Sequence, residues 1–134
     1  MADPFAVLQP RVRAALVAYS PLTAIVSTRV YDRVPDSPTF PYLTLDITDA
    51  VENDDDCGKH WTFNVEVHVW SREPGRQQAS IIAGHIRAAM DAMTVPAGYA
   101  FNWNQYRSTR MMTDRDGLTT HGIITFETGL AATA

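Results

Sequence analysis

Glu66 and His68 lie two positions apart in a stretch where apolar and polar residues alternate. In an extended chain this spacing puts both on one face, where a carboxylate and an imidazole could share a proton. The same alternation describes the wet side of any half-buried strand, which alone accounts for both residues. Nothing nearby completes a catalytic set: there is no Gly-x-Ser-x-Gly elbow and no Cys-His signature to activate a nucleophile. Gly75 and Gly84 make neither a P-loop nor a dinucleotide-binding turn.

Metal chemistry has two possible starting points, and both fall short as spacings. Cys57-x-x-His60 supplies two ligands with no second pair, so the simpler reading is a free thiol in a loop. Asp54-Asp55-Asp56 lacks the alternating ligands, central Gly and closing Glu of an EF-hand and reads as a solvated charge run. No metal and no cofactor is expected.

The aromatic residues Trp61, Trp70, Trp103, Tyr42, Tyr106 and Phe126 could stack nucleobases, but their strand phases do not bring them all to one face. Trp70 stands out because it is opposite in phase to the apolar series Trp61 to Val69 and projects from the polar face near a strand end. A large aromatic there asks for a covering helix or a partner.

Periodicity predicts the elements that carry these residues. Val7, Leu8, Val12, Ala15, Leu16 and Tyr19 recur at helical spacing after Asp3 as cap and Pro4 in the first turn, with Pro10 expected to kink the helix or delay its regular start. Ser20-Pro21 reads as the cap and first-turn proline of a short helical turn ending before Thr28. Arg29-Val30-Tyr31 reads as a brief strand, and the three prolines between Val34 and Pro41 give an ordered loop. Tyr42 to Ala50 and Lys59 to Arg72 alternate cleanly and predict a long antiparallel hairpin around the acidic connection Glu52 to Gly58. Ala79, Ile82, Ile86, Ala89, Met90 and Met93 form a helical stripe. Tyr99 to Thr113 and Leu118 to Leu130 are two more strands around Asp114-Arg115-Asp116-Gly117. The expected fold is α+β: one mainly antiparallel sheet of two long hairpins, packed by two main helices.

Composition sets outer limits. The chain has 134 residues, 46% of them hydrophobic, which suits one domain over residues 1–134 that is stable without staples. Ten arginines and one lysine, Lys59, stand against 15 acids for a net charge of -4, the wrong balance for coating nucleic acid. The lone Cys57 cannot form an internal bridge, the N-terminus lacks the pattern of a signal peptide, and no apolar run nears the roughly 20 residues that cross a bilayer.

Taken together, these segments resemble the small tail-completion or tail-terminator proteins of long-tailed phages and of phage-derived gene transfer agents. The resemblance spans nearly the whole chain. It rests on Ala14-Ala15-Leu16, Pro21-Leu22-Thr23-Ala24-Ile25-Val26, Arg29-Val30-Tyr31-Asp32, Phe40-Pro41-Tyr42-Leu43-Thr44-Leu45, Val65-Glu66-Val67-His68-Val69-Trp70-Ser71-Arg72 and the following helix rich in Ala and Ile. It implies a non-enzymatic structural protein of the virion, made in the host cytoplasm: a homo-oligomeric ring, usually hexameric, at the tail-head junction. Such a ring caps the tail tube, stops its polymerisation and joins the tail to head or neck. The implied partners are tail-tube protein and head-tail connector or neck proteins, with DNA only as passing cargo and no membrane. No catalytic residues carry over.

Candidate interface or channel residues follow from charge. Asp54, Asp55 and Asp56 are expected either to line a channel, repelling DNA, or to meet Arg107, Arg110 or Arg115 of a neighbouring subunit, since those arginines have no evident partners in the sequence. Trp70 is the candidate aromatic contact. On residues alone, a small-ligand or regulatory α+β domain and a hydrolase or isomerase of unrecognised site remain open.

Overall fold

Alternation decides the centre of the molecule. Every second residue from Trp61 to Ser71 is buried, and the residues between them are only partly covered. In the computed structural model, which describes residues 3–54 and 58–133, this segment is the central strand of a five-stranded sheet. The elements in chain order are α1 (Pro4–Ala18), α2 (Ser20–Val26), β1 (Val30–Tyr31), β2 (Tyr42–Glu52), β3 (His60–Ser71), α3 (Gln77–Asp91), β4 (Tyr99–Thr113) and β5 (Thr120–Ala132). The sheet order is β1-β2-β3-β5-β4. Both hairpins form as expected, β2 with β3 and β4 with β5, and β3 joins them through an antiparallel register from His60↔Ala131 to Ser71↔Thr120.

The α+β class holds, but the sheet is mixed. β1 runs parallel to β2, pairing Val30 with Leu43 and Tyr31 with Thr44. The cause is local to Arg29. Its guanidinium donates to Ile25 O at the end of α2 (3.1 Å) and to Pro41 O at the end of the proline loop (2.9 Å), while its own carbonyl accepts from Leu43 N (2.9 Å). The far end of the turn-back over residues 32–41 is thereby held against the start of β1 and the end of α2.

Helix α1 starts at Pro4, with Asp3 Oδ1 accepting from Phe5 N at 2.9 Å, so Pro10 does not delay its start. The stripe Val7, Leu8, Val12 and Leu16 is buried, and that packing outweighs the one backbone bond a proline forfeits. In α2 the cap position belongs to Tyr19 rather than Ser20, which is already helical. Helix α3 buries Ala79, Ile82, Ala83, Ile86, Ala89 and Met90. Its last turn is closed from the sheet, where Asn104 Nδ2 donates to Met90 O at 2.8 Å.

The buried sides of the three helices and one face of β2, β3 and β5 form one apolar cluster, with Phe63, Phe126, Leu8, Leu43, Ile82 and Ile124 among its fully covered members. Among the described residues no helix lies over the other face of the sheet. What covers it is its own side chains.

Candidate functional site

The uncovered face presents Thr44 and Asp46 from β2; Thr62, Asn64, Glu66, His68 and Trp70 from β3; and His121, Ile123, Thr125 and Glu127 from β5. Register turns these into rows. Tyr42 pairs with Trp70 and Trp70 with His121, so three rings stand side by side on adjacent strands. The Trp70 indole stacks on the His121 imidazole with 3.7 Å between ring centres and 12° between planes, and lies near-parallel to Tyr42 at 6.2 Å. Its N–H donates to Thr44 Oγ1 at 3.2 Å. Trp70 therefore projects from the polar face as its phase requires, and its two flat sides are met by neighbours within the chain.

Beside this stack runs a chain of titratable groups. His121 Nε2 lies 2.7 Å from His68 Nδ1, and His68 Nε2 lies 3.0 Å from Glu66 Oε1. Burial, and then the neighbouring His68, holds the His121 imidazole below its ordinary pKa. Burial also raises the Tyr42 phenol above its ordinary value. Asp46 sits directly across from Glu66, and Asp46, Glu66 and His68 each bring one ligand atom within 4.8 Å of the others. Among the described residues no hydroxyl hydrogen-bonds to His68 or His121.

At the end of the stack a cleft of about 580 Å³ opens between the proline loop and the β4–β5 turn, walled by Phe40, Tyr42, Trp70, Arg72, Asp114 and Asp116. Arg72 lies over the Phe40 ring at 4.1 Å and donates to Thr119 Oγ1 at 3.2 Å. Asp116 organises the turn: its carboxylate accepts from the amides of Leu118 and Thr119, both at 2.9 Å, and from Thr119 Oγ1 at 2.7 Å. Those three bonds favour the ionised form and hold its pKa down at about 2.

The charged candidates divide between the two ends of the sheet. Asp54 pairs with Lys59 at 3.0 Å, and Lys59 also takes Glu52 at 2.9 Å. Asp55, Asp56 and the Cys57 of the Cys57-x-x-His60 spacing lie outside the described residues, and His60 Nδ1 is 2.9 Å from Asn102 Nδ2. Arg115 lies in the turn at the opposite end. β3 separates the two loops by about 35 Å at its per-residue rise. Arg107 is not unpartnered, because a bulge between Tyr106 and Ser108 lets it reach Glu127 at 2.7 Å. Arg110, paired in register with Ile123, and Arg115 make no ion pair among the described residues. The structure thus brings Trp70 into a cluster with His68 and His121, and brings none of the three arginines to Asp54.

Sequence reasoning missed Tyr42, His121, Arg72 and Asp116 as one assembly. Nor does the sequence announce the packing of Trp103, whose ring lies flat against Gly129, where a Cβ would fall 2.6 Å from it, and whose buried N–H has no partner among the described residues. The phases of Tyr42, Trp70 and His121 are readable, but the adjacency of Trp70 and His121, 51 positions apart, depends on the β3–β5 register.

A family model described as "Tail completion protein gp17" matches residues 10–131. Solved structures that share the fold include one from a gene transfer agent particle and one from a bacteriophage. A chain from the virion of a native gene transfer agent particle superposes with a TM-score of 0.85 over 98% of this chain and 100% of that one, at 20% identity. The gp17 protein of bacteriophage SPP1 superposes with a TM-score of 0.60 over 90% of this chain and 86% of that one, at 24% identity. No curated protein matches the sequence.

Proposed function

This chain belongs to the tail completion protein gp17 family, whose members are structural proteins of phage tails, and from that premise we propose that it closes the end of a tail tube as a ring. The ring is a homo-hexamer at the tail-head junction of the virion. It stops tube polymerisation and offers its other side to the head-tail connector or neck. The observation that carries this reading is the family match across residues 10–131.

Three features of the subunit support it. The helices cover only one face of the sheet, which leaves a broad polar face for contact. β4 is a 15-residue edge strand whose residues 105–110 are all exposed, an edge that soluble proteins protect or use. The acidic β2–β3 end and the Arg110 and Arg115 end lie apart within one subunit, so each is free to meet the other end of a neighbour, as a heterologous ring contact needs. In this reading Asp54, Asp55 and Asp56 face Arg110 and Arg115 of the adjacent subunit, with Trp70 and its cleft at the same seam. Individual surface pairs contribute little, about 0–1 kcal/mol each, so they set register more than affinity.

Native mass spectrometry and electron microscopy of the chain with tail-tube protein test the reading. Closed rings of six at tube ends are expected, and Asp→Asn changes at 54, 55 and 56 should weaken ring formation and flatten its salt dependence. Monomers at tube ends would sink it.

A further inference from the structure

On the uncovered face, Asp46 and Glu66 stand directly opposite each other on neighbouring strands, an arrangement of like charges that costs stability in a sheet. Among the described residues no lysine or arginine pairs with either carboxylate, and Glu66 bonds only to His68. Two carboxylates are therefore gathered beside one imidazole, with no lysine or arginine among the described residues to pair with them. We propose that Asp46, Glu66 and His68 form a binding site for one divalent transition-metal ion of the zinc class, with His121 as the group that fixes the His68 ring.

The donor set selects the ion. One imidazole with two carboxylates suits zinc or cobalt, whereas magnesium and calcium prefer oxygen ligands throughout. Zinc bonds of about 2.0–2.2 Å place tetrahedral ligands about 3.4 Å apart. The three ligand atoms lie within 4.8 Å of one another, a gap that rotation of the exposed Asp46 and of the longer Glu66 side chain closes. The metal takes His68 Nε2 in place of its present bond to Glu66, and the ring proton then resides on Nδ1. At 2.7 Å from that atom, His121 Nε2 is already positioned to accept it. A metal-bound imidazole characteristically has such an orienting partner. His121 is in turn held by the Trp70 ring at 3.7 Å. A fourth position remains open to water or to a side chain of another molecule.

The test is independent of ring formation. Untagged full-length chain is titrated with ZnCl2 by calorimetry and with CoCl2 by visible absorption. One equivalent is expected to bind, with the ligand-field bands of a site of low coordination number. Asp46→Asn and His68→Gln should each weaken binding by about tenfold or more, and His121→Phe, which keeps a stacking ring but removes the acceptor, by about tenfold. Asp46 is exposed, so its variant keeps the fold. Cys57→Ser should bind as the unaltered chain does, and excess MgCl2 should not displace the ion. No binding, binding that survives in both Asp46→Asn and His68→Gln, or binding lost in Cys57→Ser would overturn the proposal.

Discussion

The two faces of the same sheet are built from the same strands and differ by one residue of phase. The helix side holds Phe63, Val65, Val67, Ile124 and Phe126, all buried, each with apolar neighbours from α1 or α3 or from the next strand. The open side holds Glu66, His68, Trp70 and His121, which satisfy one another through stacking and short polar contacts instead of through a covering layer. The contrast teaches that stability and recognition can be carried by alternate residues of one strand. A change on one face should therefore leave the other's property largely intact.

The largest expected effect tests the dry face. Phe63→Ala removes a fully buried ring and should cost about 3–5 kcal/mol, read as a large drop in the denaturation midpoint. Gly129→Ala comes next: its methyl would meet the Trp103 ring at 2.6 Å, and forcing that ring away should cost about 1–3 kcal/mol. Most of that cost should vanish in a Trp103→Ala background, and a cost that persists would mean the clash is not with the indole. Trp70→Ala should cost less in the isolated subunit, about 1–2 kcal/mol for a stacked and partly buried ring, yet impair assembly more than Phe63→Leu does. Equal assembly in both would dissolve the division between the faces.

The smallest effect is a pH dependence at the turn. The Asp116 carboxylate has its pKa lowered from 3.8 to about 2, so its contribution to stability is fully present above the ordinary value and is lost as pH falls through that interval. Asp116→Asn should flatten the stability profile between those two values and leave it unchanged at neutral pH apart from a constant offset. An unaltered acid limb would contradict the turn geometry.

How far these features could be read beforehand depends on the range of the interactions involved. The alternation of β3 and the stripe of α3 are local patterns, and both elements formed with nearly the expected bounds. The parallel strand β1 is only two residues long and owes its partner to Arg29 clasping the ends of α2 and the proline loop, which no periodicity announces. Trp70 could be placed on the polar face by phase, whereas its stacking on His121 needs the β3–β5 register. Arg107 shows the opposite failure. A bulge turned it toward Glu127, so a cation that looked unpartnered in sequence has an acid on the adjacent strand.

A subunit that closes the end of a tail tube, as proposed, must stop the tube's growth. Purified tail-tube protein can be set to polymerise and the chain added during elongation, with tube length followed by electron microscopy. Elongation should stop at a substoichiometric ratio of chain to tube protein, with added density at one tube end only. Tubes that keep lengthening in excess chain, or density spread along their walls, would contradict it.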